Sequence, residues 1–301
     1  MVQCAKQLRP TKNNTTMSNF DPNGVGIANG NIFGFPYNEN EADIVLIPVP
    51  WDATASYGKG TSKGPQAILE ASTQLDFYHP QLPAAYETKI FMSAVSMEWL
   101  EINDRLCLEG QQYIDYLEQV GEEQARQRYS DTLQQINEAH QALRQHLKER
   151  CLHLLSDQKI PCVLGGEHST PLGLLEALDS QYEAFGILQI DAHADLRDAY
   201  EGFSQSHASI MFNALKELKH LEILTQVGIR DVSEKEVIKR LSARGRKDDK
   251  PEIIKNRIGV YEKETGPVLR QLEKDSSDDI NKTFLKIKAE GADPEDIADK
   301  I

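Results

Sequence analysis

Acidic and histidine side chains cluster directly after an apolar stretch of the chain. The segment ILQIDAHADLRD, residues 187–198, places Asp191, His193 and Asp195 at alternate positions. Alternate residues of an extended chain point to one side, so we expect these three side chains to converge. Buried carboxylates are costly unless a positive charge lies among them. The pattern predicts a metal site, since imidazole and carboxylate groups together suit Mn²⁺, Fe²⁺, Ni²⁺ or Zn²⁺ better than Ca²⁺.

A second histidine motif follows an earlier apolar run. His168 lies in LGGEHS, 23 residues before Asp191. Ligands collect at the carboxyl edge of a parallel sheet, so we expect both residues at one such edge. Two cations about 3.5 Å apart, bridged by a carboxylate, can activate a water molecule at neutral pH. Alone, each motif is typical of a polar turn or a hydrogen-bonded histidine, whereas the two together favour a metal pair. His207, in SQSHASIM, fits either a surface histidine or a place in this site.

Strands alternating with helices must position these residues. Apolar runs predict parallel neighbouring strands in one sheet, at 43–49, 160–164, 185–191 and 222–229. Apolar residues at helical spacing predict an amphipathic helix over 131–157. QAILEAS and PLGLLEAL are further predicted helices, and a glycine-rich loop, WDATASYGKGTSKGP, follows the first strand. The alternation favours an α/β fold with a parallel sheet covered on both faces.

Composition excludes several classes of partner. The 301 residues carry a net charge of −14, which argues against nucleic acid or an anionic membrane as the main partner. No apolar run approaches the roughly 20 residues of a membrane span. The four cysteines show neither metal spacing nor a disulfide framework, so a reducing cytoplasm is expected. Residues 1–19 are expected to be a flexible polar leader, with Met17 as an alternative start.

The composition changes near residue 240. From Arg240 to Ile301 the chain has 14 basic and 14 acidic residues among 62. We therefore expect a domain over residues 20–239 and a charged, mostly helical segment of divergent or foreign origin over 240–301.

The front of the chain resembles the ureohydrolase family of arginases and agmatinases, most of all the agmatinases. The resemblance covers about residues 20–239 and rests on GGEHST, DAHADLRD, PWDATASYGKGTSKGPQAILEAS and VGIRDVSEKEV. It implies a three-layer α/β/α fold with a mainly parallel sheet. It also implies a binuclear metal site that binds manganese or, alternatively, nickel. The implied reaction is hydrolysis of an agmatine-like guanidinium compound to urea and an amine. The implied assembly is a homo-oligomer, a trimer or a hexamer.

The resemblance also implies roles for individual residues. His168, Asp191 and Asp195 would hold one metal, while Asp191 would bridge to a second metal that His193 also binds. Asp195 would orient the attacking water. His207 would assist proton transfer to the leaving amine.

One family motif is missing. A third metal motif, Ser-x-Asp-x-Asp-x-x-Asp-Pro, is expected some tens of residues after GIRD and is absent. Two of six expected ligands are therefore missing, and we expect hydrolysis to be impaired and the carboxyl-terminal part of the fold to be incomplete. The alternative is a non-catalytic ureohydrolase remnant, or an oligomerising protein, that binds metal weakly.

A short second resemblance concerns the charged segment. Residues 240–268 are similar to the part of adenylate kinases that closes the lid, and the resemblance implies that Arg246 and Arg257 contact phosphates. A kinase also needs a phosphate loop, and ASYGKGTS at 55–62 is a candidate. The motif requires its first glycine at position 53, two residues earlier, where the chain has Ala53. A nucleotide-binding kinase is therefore a further alternative, and we interpret GKGT as part of the ureohydrolase loop.

Overall fold

Five strands and six helices make up the described part of the chain. The computed structural model describes residues 20–22, 24–77, 81–82 and 84–229. The strands are β1 (Ile44–Val49), β2 (Ile90–Met92), β3 (Ile160–Gly165), β4 (Phe185–Ile190) and β5 (Leu221–Val227). The helices are α1 (Gly64–Ser72), α2 (Met97–Val120), α3 (Glu122–Arg128), α4 (Ser130–Ser156), α5 (Leu172–Gln181) and α6 (Ile210–Glu217). The four predicted strands and three predicted helices are confirmed, whereas sequence patterns did not predict β2, α2, α3 or α6.

Some predictions lie outside the described residues. These are the polar leader at 1–19, the boundary after residue 239, the helical segment at 240–301 and the phosphate contacts of Arg246 and Arg257.

All strand pairs are parallel, but the strands form two sheets. The first sheet has the order β2-β1-β3, and the second pairs β4 with β5. The α/β class with parallel strands and packed helices is confirmed. The prediction of one continuous sheet is wrong for the described residues, because their backbone hydrogen bonds include no ladder between β3 and β4.

Each sheet packs against its own hydrophobic core. The first core combines β1 with α2 and α4, and its members include Val45, Trp51, Leu106, Tyr113, Ile136 and Leu147. The second core combines β4 with α5 and α6, and its members include Leu172, Ile187, Leu196, Ile210 and Met211. Burial of one such aliphatic side chain stabilises the fold by about 1.5–3 kcal/mol. Each sheet therefore has its own set of buried side chains, and the described residues form no ladder between the two sheets.

The two hydrophobic cores, each with its sheet and helices, divide the described residues into two halves, and helix α4 connects these halves. Apolar residues three or four positions apart bury one of its faces, among them Leu133, Ile136 and Leu143. It packs closely on α5, where a Cβ atom at Gly173 would lie 2.5 Å from the carbonyl oxygen of Arg144. The Arg144 side chain donates from Nε and Nη2 to Glu176 of α5, at 2.8 Å in each case, and contacts Glu217 of α6. This ion network connects α4 of the first core to two helices of the second.

One face of the second sheet carries exposed apolar side chains. Leu188, Ile190 and Ile223 are 40%, 78% and 49% exposed. Ile223 lies opposite Gly186, which shares a face with Leu188 and Ile190. Parallel sheets are usually covered on both faces, so the described residues cover this face only in part. None of the described helices is both long enough and apolar enough to cross a bilayer.

Candidate metal centre

Close backbone packing fixes the loop that carries His168. A Cβ atom at Gly166, where φ is +26°, would lie 2.2 Å from the carbonyl oxygen of Trp51. The next amide, that of Glu167, donates to the same oxygen at 2.8 Å. Glycine is needed where this loop crosses the segment after β1. The loop thereby places His168 beside the end of β4.

Three of the predicted ligands converge at the ends of β3 and β4. His168 Nδ1 lies 2.6 Å from Asp195 Oδ2 and 2.9 Å from Asp191 Oδ2. Potential ligand atoms of all three residues lie within 4.8 Å of one another. His168 and Asp191 are therefore close together as predicted, although the strands before them belong to two sheets and not to one.

This donor set fits a divalent transition-metal ion. One imidazole nitrogen and two carboxylate oxygens are ligands that manganese, nickel and zinc accept. Bonds of about 2 Å place neighbouring ligand atoms about 3 Å apart, close to the observed 2.6 and 2.9 Å. The Asp195 side chain is only 8% exposed, and two sheltered carboxylates repel each other unless a cation lies between them.

Burial and charge oppose each other in this cluster. Burial alone would lower the pKa of His168, but its hydrogen bond to Asp195 and the two nearby carboxylate charges raise that pKa. Burial raises the pKa of Asp195, despite the neighbouring His168. Burial would also raise the pKa of Asp191, but hydrogen bonds from the His193 amide and from Gln189 lower it. Asp191 therefore stays ionised at neutral pH and can bind a cation.

Asp195 reaches the cluster through a left-handed backbone turn. Its φ is 52°, a conformation that aspartate tolerates better than most residues with a side chain. The residues on either side, Ala194 and Leu196, are 4% and 1% exposed, so buried side chains hold the turn. The Asp195 carbonyl oxygen accepts from the amides of Met211 and Phe212 at 3.1 and 3.2 Å. Helix α6 therefore supports the turn that brings this carboxylate to His168.

His193 lies outside the cluster that the other three predicted ligands form. The expectation that residues 191, 193 and 195 share one side is wrong, because the chain bends after β4. The His193 amide donates to Asp191 Oδ1 at 3.0 Å, which stabilises the bend. The His193 side chain is 72% exposed, and its Nδ1 lies 3.7 Å from Asp191 Oδ1. That separation allows both atoms to reach a second, more exposed cation.

Two glutamines that sequence patterns did not single out support Asp191. Gln189 Nε2 donates to Asp191 Oδ2 at 3.2 Å and to the His193 carbonyl oxygen at 3.1 Å. Gln226 Nε2, on the neighbouring strand, donates to Gln189 Oε1 at 2.6 Å. Gln189 is only 4% exposed, and a buried amide requires such partners. The sequence did contain a sign of the role of Gln189, because it is a polar residue inside an apolar strand, two positions before the ligand Asp191.

Glu167 is another supporting residue that sequence patterns missed. Its buried carboxylate accepts from Thr54 Oγ1 and, at 2.7 Å, from Ser169 Oγ. Burial raises the pKa of Glu167 to about 7. The Thr54 contact connects the glycine-rich loop after β1 to the loop that carries His168.

His207 is half-buried and contacts the glycine-rich loop after β1. Its Nδ1 lies 3.0 Å from the carbonyl oxygen of Thr54. A carbonyl oxygen only accepts, so Nδ1 carries the proton and Nε2 keeps a lone pair. Burial lowers the pKa of His207 to about 4, which keeps the ring neutral. The Tyr200 ring packs edge-on against it, with centroids 5.9 Å apart.

Known proteins resemble this chain over part of its length. It is 28% identical over 179 residues to N(1)-aminopropylagmatine ureohydrolase of Synechocystis sp., an alignment covering 58% of this chain and 48% of that protein. It is 29% identical over 173 residues to agmatinase of Halalkalibacterium halodurans, covering 57% and 47%. The solved agmatine ureohydrolase of Thermoplasma volcanium shares 19% identity with a TM-score of 0.43, covering 70% of this chain and 66% of that one. The chain thus spans about half the length of the curated relatives it matches.

A family model also matches this chain. The model of the arginase family matches residues 42–269, which is more than half of the chain. This match runs through residues 240–268, and the comparisons give no support to an adenylate-kinase-like segment there. The matched region contains both loops of the metal-ligand cluster and the loop after β1, and the protein belongs to the arginase family.

Proposed function

We propose that the protein hydrolyses a guanidinium compound of the agmatine type to urea and an amine. The convergence of His168, Asp191 and Asp195 within 4.8 Å carries this proposal. Support for the substrate class comes from the names of the relatives, agmatinase and N(1)-aminopropylagmatine ureohydrolase. The net charge of −14 also favours the approach of a cationic substrate.

The cluster residues hold Mn²⁺, or alternatively Ni²⁺, in this proposal. His168, Asp191 and Asp195 would supply three ligands to one cation, and Asp191 together with His193 would begin a second site. A divalent cation bound there supplies Lewis acidity, which makes water nucleophilic at neutral pH. Asp195 accepts a hydrogen bond from the attacking water and orients it toward the trigonal guanidinium carbon.

His207 carries a proton to the departing amine. Its Nδ1 donates to the Thr54 carbonyl oxygen, so Nε2 is the atom that takes up and releases the proton. The low pKa of this imidazole, about 4, keeps Nε2 available as an acceptor at neutral pH. The contact with Tyr200 keeps the ring in one orientation.

We further propose that turnover is slow in the isolated chain. In this proposal Asp191 and His193 are the described residues that serve a second cation, and the His193 side chain is 72% exposed. Fewer anionic ligands leave two neighbouring cations with stronger mutual repulsion, which disfavours double occupancy. A neighbouring subunit of a homo-oligomer is the route by which further ligands would be supplied.

A urea assay tests the reaction. The full chain, loaded with Mn²⁺ or Ni²⁺, is incubated with agmatine and with N(1)-aminopropylagmatine. We expect urea from wild type and from Asp198→Asn, an exposed aspartate outside the cluster, but none from Asp191→Asn. Absence of urea with both compounds and both metals would overturn the proposal, and unchanged urea production by Asp191→Asn would remove the cluster from it.

A further inference from the structure

A cavity of about 330 Å³ lies beside the carboxyl ends of β1 and β2. None of the metal-cluster residues lines it. Its walls are largely apolar and come from both strands and from α2 and α4, through Ile47, Val49, Phe91, Trp99, Leu143 and Leu147. The volume is at the small end of the range for ligand pockets, which are about 300–1,000 Å³. The cavity therefore suits a small molecule with an apolar part.

An ion pair stands at the wall of this cavity. Arg150 Nη2 contacts Glu39 Oε2 and lies 3.5 Å from Ser93 Oγ, and all three residues line the cavity. The two charged side chains are 25% and 33% exposed, so the pair is partly sheltered from water. Among the described residues, these contacts engage Nη2 of the guanidinium and Oε2 of the carboxylate. Nε, Nη1 and Glu39 Oε1 are left for another molecule.

Two rings form the side of the cavity next to this pair. His146 precedes Arg150 by one turn of α4, so both residues lie on the same face of that helix. The His146 ring packs at 5.9 Å from the Trp99 ring, between centroids. The two rings therefore place an aromatic wall beside the charged groups.

We propose that this cavity binds a free α-amino acid with an apolar side chain. The ligand carboxylate accepts a charge-assisted hydrogen bond from Arg150 Nη1, beside the Nη2 group that contacts Glu39. The ligand ammonium donates to Glu39 Oε1, and the side chain occupies the apolar part between β1, Trp99 and α4. Adjacent opposite charges select a zwitterion, because a simple anion is repelled by Glu39 and a simple cation by Arg150.

Three probes of nearly equal shape test the charge requirement on the wild-type full chain. They are L-leucine, 4-methylpentanoate, which lacks the ammonium, and 3-methylbutylamine, which lacks the carboxylate. Calorimetric titration should show L-leucine binding about tenfold or more tightly than either analogue, since each analogue lacks one hydrogen bond between charged groups. Trp99 lines the cavity and the other tryptophan, Trp51, is fully buried, so L-leucine should also change the Trp99 fluorescence. No binding of L-leucine, or equal binding of the three probes, would overturn the proposal.

Matched variants locate the binding. Arg150→Gln and Glu39→Gln should each weaken L-leucine binding about tenfold. Arg126→Gln removes an arginine from an exposed ion pair with Glu122 that does not line the cavity, and it should bind like wild type. Circular dichroism verifies that each variant is folded. Wild-type affinity in folded Arg150→Gln would show that the amino acid binds elsewhere and would refute the site.

Discussion

His168 Nδ1 lies 2.6 Å from Asp195 Oδ2, although the strands preceding these two residues belong to different sheets. The contact connects the loop after β3 to the turn after β4, and so connects the halves built on the two hydrophobic cores. A cation held by these residues would bind both halves at once. Metal binding and the association of the halves should therefore stabilise each other.

Metal stoichiometry should be close to one per chain. One cation has three converging ligands, whereas the second has Asp191 and the exposed His193, so the second site should stay largely empty. Quantification by mass spectrometry after Mn²⁺ loading and desalting measures this. Asp191→Ala should lose the bound metal and Asp198→Asn should retain it. Two tightly held ions per chain would show that further ligands complete the second site.

The amide network behind Asp191 should control metal affinity. Gln189→Leu removes the donor to Asp191 Oδ2, and loss of such supporting contacts weakens metal affinity about tenfold or more. Gln226→Leu, one contact further away, should have a smaller effect. Gln145→Leu, on the exposed face of α4, is the matched control. Competition with a fluorescent chelator measures the three affinities, and equal values would exclude a positioning role for Gln189.

His207→Asn should separate catalysis from metal binding. Removal of a general acid–base group lowers kcat by about 100-fold or more, while Mn²⁺ affinity should not change. Asparagine keeps a donor for the Thr54 carbonyl oxygen, so the loop is preserved. His153→Asn, at the exposed end of α4, serves as the control. A rise in KM at constant kcat would instead assign His207 to substrate binding.

Stability should fall in acid because of a buried histidine that does not belong to the metal-ligand cluster. His140 is 2% exposed, and burial lowers its pKa to about 3. Below the unfolded value of about 6.5, the unfolded chain binds a proton that the folded chain excludes. The free energy of unfolding should therefore decrease as the pH falls from about 6.5 toward 3. The loss from this group should reach about 2 kcal/mol between pH 7.5 and pH 5.

Urea denaturation of His140→Phe at both pH values isolates this contribution. The variant should lose less stability on acidification than wild type, whereas exposed His153→Asn should match wild type. An unchanged pH dependence in His140→Phe would contradict the assignment.

The Arg144 network should contribute strongly to stability. Arg144 is 7% exposed, and Arg144→Gln leaves Glu176 and Glu217 without their shared cation. We expect a loss of about 3 kcal/mol in the free energy of unfolding, as for other sheltered pairs that lose one partner. Arg126→Gln breaks an exposed pair within α3 and should cost less than about 1 kcal/mol. Similar losses in the two variants would refute the role of the network.

Local patterns predicted the elements better than their arrangement. Helix α4 was predictable because apolar residues repeat along one face. Helix α2 was not, since the residues it buries include Asn103 and Gly110, which interrupt an apolar pattern. Strand–helix alternation gives the order of strands along the chain but not their lateral pairing, so it suggested one sheet where the described residues form two.

The sequence predicted which residues form the metal-ligand cluster better than it predicted the geometry of the site. His168, Asp191 and Asp195 are close together as expected, because both ligand motifs follow strand ends. The outward direction of His193 depends on the bend after β4 and on the positive φ of Asp195, which is held by two buried neighbours and by α6. These are tertiary effects that a short motif does not encode.

The two-sheet arrangement has a consequence for motion. A two-stranded sheet is marginally stable by itself, so β4 and β5 should open more often than the three-stranded sheet. Amide hydrogen exchange should then divide the strands into two groups, with slower exchange in β1 and β3. Each opening of β4 and β5 would carry Asp191 and Asp195 away from His168. The residence time of a bound ion would be set by this breathing motion as much as by the strength of its ligands.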